Sequence, residues 1–288
     1  MALGPIFGVL FDGFAYGMLL FLLSVGLSVT LGMMNFINLA HCAFAMLGGY
    51  ITVTLTNRYG WPFLATLPLA FLLTAAVSVV FERTLYRRLY RAGELDQVLL
   101  TIGLAFMSVA IAAYLFGTVQ QPVETPAFLR GSHSVFGVSF GSYRLFLVAM
   151  GLTVMLLLIL MLEHTRFGAR VRAAVDNQRM ARGLGINVEA AFAITFALGS
   201  GLAGLGGALA IEIVGLDHSF ALAYLVYVLI VVSVGGLGSI GGSFAAAALL
   251  GISDMFGKYY FPQLGAFLIY LVMIAILMWR PAGLFGRR

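Results

Sequence analysis

Along this chain, long stretches without a charge alternate with short polar interruptions. Runs such as YGMLLFLLSVGLSVTLGMM and LFLVAMGLTVMLLLILML are apolar all round rather than on one face. They reach the roughly 20 residues that a helix needs to cross the hydrocarbon of a bilayer. The interruptions leave apolar segments at 7–31, 36–56, 62–81, 95–117, 143–163, 190–213, 223–237, 243–257 and 264–279. The pattern predicts an all-α integral membrane protein, a polytopic bundle of about eight or nine transmembrane helices with broken or re-entrant segments. The count turns on whether 36–56 crosses fully. No linker or low-complexity stretch divides the chain, so residues 1–288 are read as a single membrane domain.

Composition agrees: 62% of residues are hydrophobic and 9% charged, against about 25% charged in soluble domains. Met1 to Phe11 carries no basic residue before the apolar run, so no cleaved signal peptide is expected. Charge placement then orients the segments. Arg83, Arg87, Arg88 and Arg91 lie in one interruption; Arg166, Arg170, Arg172, Arg179 and Arg182 lie in another; Arg280, Arg287 and Arg288 close the chain. With these three regions inside, only Arg58, Arg130, Arg144 and Lys258 fall outside, which is the positive-inside bias. Sorting of topology explains the net charge of +5 better than a nucleic-acid partner does.

Little in the chain argues for chemistry. The one lysine, Lys258, stands in GISDMFGKYY, where the glycine spacing and the residue after the lysine both depart from a phosphate-cradling loop. In GGLGSIGG, Leu237 replaces the first glycine of a nucleophile turn. His41, His133, His164 and His218 are scattered, so no metal site is expected, and the lone Cys42 excludes an internal disulfide. Asp12, Glu212 and Asp254 fall near outer helix ends, while Glu82, Glu94, Asp96 and Glu163 fall at the inner boundary. Without a carboxylate near the midplane, ion-coupled secondary transport is weakened. A membrane-embedded enzyme is disfavoured by the lack of an acid–base cluster. No cofactor is expected on this chain, and energy is expected to enter through a cytoplasmic contact.

The second basic loop is the candidate for that contact. RFGARVRAAVDNQRMARGLGIN reads as an amphipathic helix from about 171 to 183, stopped by Gly183 and Gly185. Arg172 and Arg179 share a face, and Ala174, Ala181 and Leu184 offer a small apolar surface fit for a groove. Three other patterns stand out. In MNFINLAHCAFAMLGGY, Asn35, Asn38 and His41 recur every third residue ahead of Gly48. Polar groups survive there by capping a broken helix or by lining a translocation path. Gly235, Gly236, Gly238, Gly241 and Gly242 mark an interruption in the second half, either a re-entrant turn or part of a transport site. Ser200, Gly204 and Ala208 form a small-residue stripe for helix packing, within the chain or between subunits.

Together these stretches resemble the permease subunits of branched-chain amino-acid ATP-binding-cassette importers, the LivH-type permeases. NFINLAHCAFAMLGGY is similar to the family's Asn-(Leu/Phe)-Ala-His segment. TRFGARVRAAVDNQRMARGLGIN matches its coupling segment at Thr165, Gly168, Arg172 and Ala173, and VGGLGSIGGSFAAAALLG its glycine-rich late segment. Many relatives carry Gly-Glu or Gly-Ala after the histidine where this chain has Cys42-Ala43, which leaves the solute open. The resemblance implies a permease importing a small solute, most readily a branched-chain or other hydrophobic amino acid. It implies a bacterial inner-membrane location, a periplasmic solute-binding protein, a second related permease, and two cytoplasmic ATPase subunits that hold ATP and Mg²⁺. The ATPases would meet the segment at about 164–189 through Gly168, Arg172, Ala173, Ala174, Asp176, Arg179, Ala181, Arg182 and Gly185.

Overall fold

The computed structural model describes residues 3–34, 36, 38–89, 92–135 and 138–286. Among these, six helices are long and apolar enough to cross a membrane: Pro5–Met34, Phe63–Leu89, Glu94–Phe116, Ser142–His164, Val188–Val214 and Ile240–Tyr260. Two shorter apolar helices, Phe220–Gly235 and Phe267–Trp279, join them. The chain is thus an all-α polytopic membrane protein.

The first helix, α1 (Leu3–Met34), is followed by the short α2 (His41–Val53), which a π-helical turn at Thr54–Arg58 prolongs. Helix α3 (Phe63–Phe81) passes through a second π-helical stretch, Glu82–Tyr86, into α4 (Arg87–Leu89). Then come α5 (Glu94–Phe116), α6 (Ser142–His164), α7 (Arg166–Asp176), α8 (Gln178–Gly183) and α9 (Val188–Val214). Helices α10 (Phe220–Gly235), α11 (Ile240–Tyr260) and α12 (Gly265–Trp279) complete the bundle. The connection between α5 and α6 contains a hairpin of β1 (Ser132–Val135) and β2 (Val138–Gly141), antiparallel with Ser132 opposite Gly141 and His133 opposite Phe140. Phe140 meets Phe11 edge-on at 4.8 Å. Arg144, just beyond the hairpin, pairs with Asp12, so this unit is tied to the start of α1.

Helix α9 is the hub. It packs against α1, α2 and α3, and 83% of its most apolar window is buried. Small residues permit this, because in lipid the association of helices rests on close backbone approach rather than on expulsion of water. On the α1 side a Cβ at Gly199 would lie 2.7 Å from Gly26 O, and one at Gly206 3.0 Å from Leu22. On the α3 side Gly201 abuts the Phe71 ring and Gly204 abuts Thr74. On the α2 side Gly204 touches Gly48, and Gly207 touches the Ala45 carbonyl. Ser200 and Ala208 are buried in the same helix. The small-residue stripe therefore packs inside the chain. A second close crossing joins α1 to α11: a Cβ at Gly13 would lie 2.6 Å from Ile252 Cα, and one at Gly251 2.5 Å from Gly17 Cα.

Candidate functional site

Contacts between helices sort the charges to two ends. Gly26 meets Gly199, and Leu22 meets Gly206, so α1 and α9 run antiparallel and Met34 lies near the start of α9. Arg87 pairs with Glu189 at that same end, and Gly32 abuts Gly238. The end so defined carries Arg83, Arg87, Arg88, the α7–α8 arginines and Arg280. The other carries Arg58, Arg130, Arg144 and Lys258.

At the arginine-rich end the backbone does something the hydropathy pattern does not reveal. Beyond Met34 the next described helix begins at His41, and the described residues between them, 36 and 38–40, are not helical. His41 Nε2 contacts Leu23 O at 3.0 Å. At 1.5 Å per residue, Leu23 lies roughly 16 Å along α1 from Met34, so α2 starts deep in the bundle. Non-helical backbone at that depth must be enclosed by protein and its polar groups bonded. Asn38 serves this need: its Oδ1 accepts from Ala40 N at 3.1 Å, and its carbonyl accepts from His41 N at 3.2 Å. Both side chains are 1% exposed. Asn38 and His41 thus close the break between α1 and α2. Asn35 lies outside the described residues. Gly48 faces Gly204 inside the chain.

The late glycines form a tight helical hairpin. Helix α10 ends at Gly235, Gly236 and Gly238 adopt φ of +96° and +78°, and Ser239 Oγ caps α11 by accepting from Gly242 N at 3.0 Å. Those φ values favour glycine because other residues bring Cβ into clash. Gly235 lies against Gly242, while Gly241 has open space around its Cα. The C-terminal segment docks on this turn through its backbone: Leu284 N donates to Val234 O at 2.7 Å and Phe285 N to Gly235 O at 3.1 Å. Gly238 touches α1 at Gly32, whereas His41 touches it at Leu23. The two groups of candidate path residues are therefore roughly 14 Å apart along α1, and the chain does not bring them together.

The segment expected as one helix over 171–183 is two helices with an extended break at Asn177. Thr165 caps α7 through Gly168 N, Asn177 Oδ1 caps α8 through Met180 N at 2.9 Å, and Asn187 Oδ1 caps α9 through Ala190 N at 2.9 Å. Gly185, at φ +79°, turns the chain between α8 and α9. Beneath the module lies its own small core of Val171, Ala174, Ala181, Val188, Ala191 and Phe192, backed by Met33 and Met34. Ala174 and Ala181 therefore point inward rather than offering themselves to a groove. Arg172 donates to Leu162 O and ties α7 to the end of α6, with Gly168 pressed on the Leu162 backbone. Ala173 is half-buried; Asp176, Arg179 and Arg182 are exposed. The most outward apolar groups of the module are Met180, 65% exposed, and Leu184, 76% exposed, with Val175 less so. Met180 is absent from the sequence-based set. An apolar residue flanked by Arg179 and Arg182 was the available signal.

Comparison with known proteins decides what these elements belong to. The profile of the family described as the branched-chain amino acid transport system permease component matches residues 9–277. The chain belongs to this family. It is 26% identical to the high-affinity branched-chain amino acid transport system permease protein BraD of Pseudomonas aeruginosa, over 96% of this chain and 95% of that one. To the LivH permease protein of Escherichia coli it is 25% identical, over 96% of this chain and 94% of LivH. To the LivM permease protein of Salmonella typhimurium it is 29% identical, over 93% of this chain and 68% of LivM. No solved structure matches. In this permease, then, the hub around α9 and the capped α7–α8 module are parts of one transport subunit.

Proposed function

We propose that the chain imports branched-chain or other hydrophobic amino acids across a bacterial inner membrane, as one permease subunit of an ATP-binding-cassette transporter. The observation that carries this reading is the match to a permease family over residues 9–277. All 288 residues form one membrane domain. Nine passes follow if α2 and the π-helical turn that prolongs it complete a crossing between α1 and α3. The arginine-rich end faces the cytoplasm. There the α7–α8 module receives two ATPase subunits that bind ATP and Mg²⁺, its segment of about 164–189 presenting Arg179, Arg182, Met180 and Leu184. Similarity to both LivH and LivM supports a second, related permease as partner. A periplasmic solute-binding protein delivers the amino acid to the opposite end. Asn38 and His41 belong to the break that borders the path; Gly48, Gly235, Gly236, Gly238 and Gly242 serve it by packing.

The test is co-expression with candidate ATPases and uptake of radiolabelled leucine by vesicles containing the purified complex. Uptake should require ATP. Met180→Asp combined with Leu184→Asp should lower the ATPase bound by about tenfold, since loss of some 1.4 kcal/mol of contact energy does so. Uptake driven by a proton or sodium gradient without ATPase would assign the chain to secondary transport instead.

A further inference from the structure

Two adjoining cavities at the arginine-rich end, of about 470 Å³ and about 270 Å³, lie between the end of α3 with α4 and the start of α9 with α8. Glu82, Arg87 and Glu189 line both. Arg88 and Arg182 line the larger and Arg83 the smaller. The acids are already engaged: Glu189 pairs with Arg87, and Glu82 is buried and bonded. Arg83, Arg88 and Arg182 have no ion-pair partner among the described residues. The cap of the 27-residue α9, Asn187, lines the smaller cavity with Glu189 and Ala190, adding the positive end of a helix dipole. Four arginines against two acids thus line the adjoining cavities, leaving a cationic excess there. The same two helices that form it show apolar side chains to the outside within a few residues: Val80 of α3 is 60% exposed and Ile194 of α9 is 53% exposed. Val80 stands three residues before the pocket residue Arg83, and Ile194 directly follows the pocket residue Ala193.

We infer that this pocket binds the phosphate headgroup of an anionic phospholipid, whose acyl chains lie along the Val80–Ile194 seam. Basic pockets between membrane helices recognise such headgroups electrostatically. Arginine suits the task because its planar fork bonds two phosphate oxygens at once. A soluble phosphate anion shares the headgroup chemistry but gains nothing from the seam. A protein arriving from the aqueous side would meet the pocket at the end of the bundle and leave the seam uncovered.

Native mass spectrometry of the full-length chain, purified with whatever subunits accompany it, tests the assignment. After exchange into detergent containing phosphatidylglycerol or phosphatidylcholine with identical acyl chains, the protein should retain the anionic lipid about tenfold more. Arg83→Ala with Arg88→Ala should abolish that preference. Arg166→Ala with Arg170→Ala, which removes equal charge outside the pocket, should preserve it. Arg88→Gln alone, the milder change, should reduce it about threefold, which keeps the test sound should the double variant fold poorly. Displacement of the lipid by millimolar inorganic phosphate would point to a soluble anion and overturn the proposal. Equal retention of the two lipids by the unaltered chain would overturn it too, and would do so in favour of a protein surface if Arg83→Ala with Arg88→Ala then released the ATPases.

Discussion

Helices α9 and α5 are both long enough to span a bilayer, yet 83% of the most apolar window of α9 is buried and only 17% of that of α5. The less apolar of the two is the one inside. In water the order would be reversed, since burial there follows hydrophobicity. In lipid, a leucine gains nothing by leaving the hydrocarbon for a protein interior, so the interior goes to the helix whose surface allows close approach. Gly199, Gly201, Gly204, Gly206 and Gly207 give α9 that surface. Helix α5 instead turns Leu99, Phe106, Met107, Ile111, Tyr114 and Leu115 outward.

The sharpest way to break this comparison is to add volume to α9. Gly207→Leu would drive its side chain into the backbone of Ala45 on α2. Backbone cannot yield as a side-chain tip can, so we expect a destabilisation of about 3 kcal/mol or more, seen as loss of the monodisperse peak in size-exclusion chromatography. Normal yield and stability from this variant would mean that the crossing is not close. An intermediate effect belongs to the break. His41→Leu removes the buried bond to Leu23 O and should lower stability by about 1–3 kcal/mol, read from thermal unfolding in one detergent. Uptake per folded complex should fall as well if the break borders the path; undiminished uptake at reduced stability would leave His41 a closing role alone. The smallest effect should come from α5. Leu99→Ala, at a residue 59% exposed, should change stability of the isolated subunit by less than about 0.5 kcal/mol. A larger loss, appearing only in the assembled transporter, would show that a partner covers this face.

How legible was this in the sequence? Helix positions were, because polar residues stop the apolar runs. The run 143–163 became Ser142–His164, and 95–117 became Glu94–Phe116. The packing of Ser200, Gly204 and Ala208 was open between two readings that local pattern could not separate, since a small-residue face serves an intrachain or an intersubunit crossing equally. The late start of α2 was illegible for a different reason. It depends on Leu23 offering a carbonyl to a histidine 18 residues later, and no window of hydropathy contains that. Ala174 was misread for the same cause: alternating arginines and alanines show a polar and an apolar side, but not that Val188, Ala191 and Phe192 supply the cover. The role of the late glycines in seating residues 284–285 likewise appears only once the turn and the tail are in place.

The crossing of α1 with α11 has a consequence for the order of synthesis. The partners of α9 on its three sides, α1, α2 and α3, all precede it in the chain, so α9 reaches the membrane with its neighbours already made. Helix α1 has no such provision on its other side. Its face at Gly13 and Gly17 is complementary to Gly251 and Ile252, and about two hundred residues separate the end of α1 at Met34 from the start of α11 at Ile240. At roughly 5–20 residues per second, that face waits on the order of 10–40 s, open to any small-faced helix that passes. Biogenesis of this subunit is therefore most exposed to mispairing at the first helix it makes, and a translocon or insertase that holds α1 until α11 emerges would protect it.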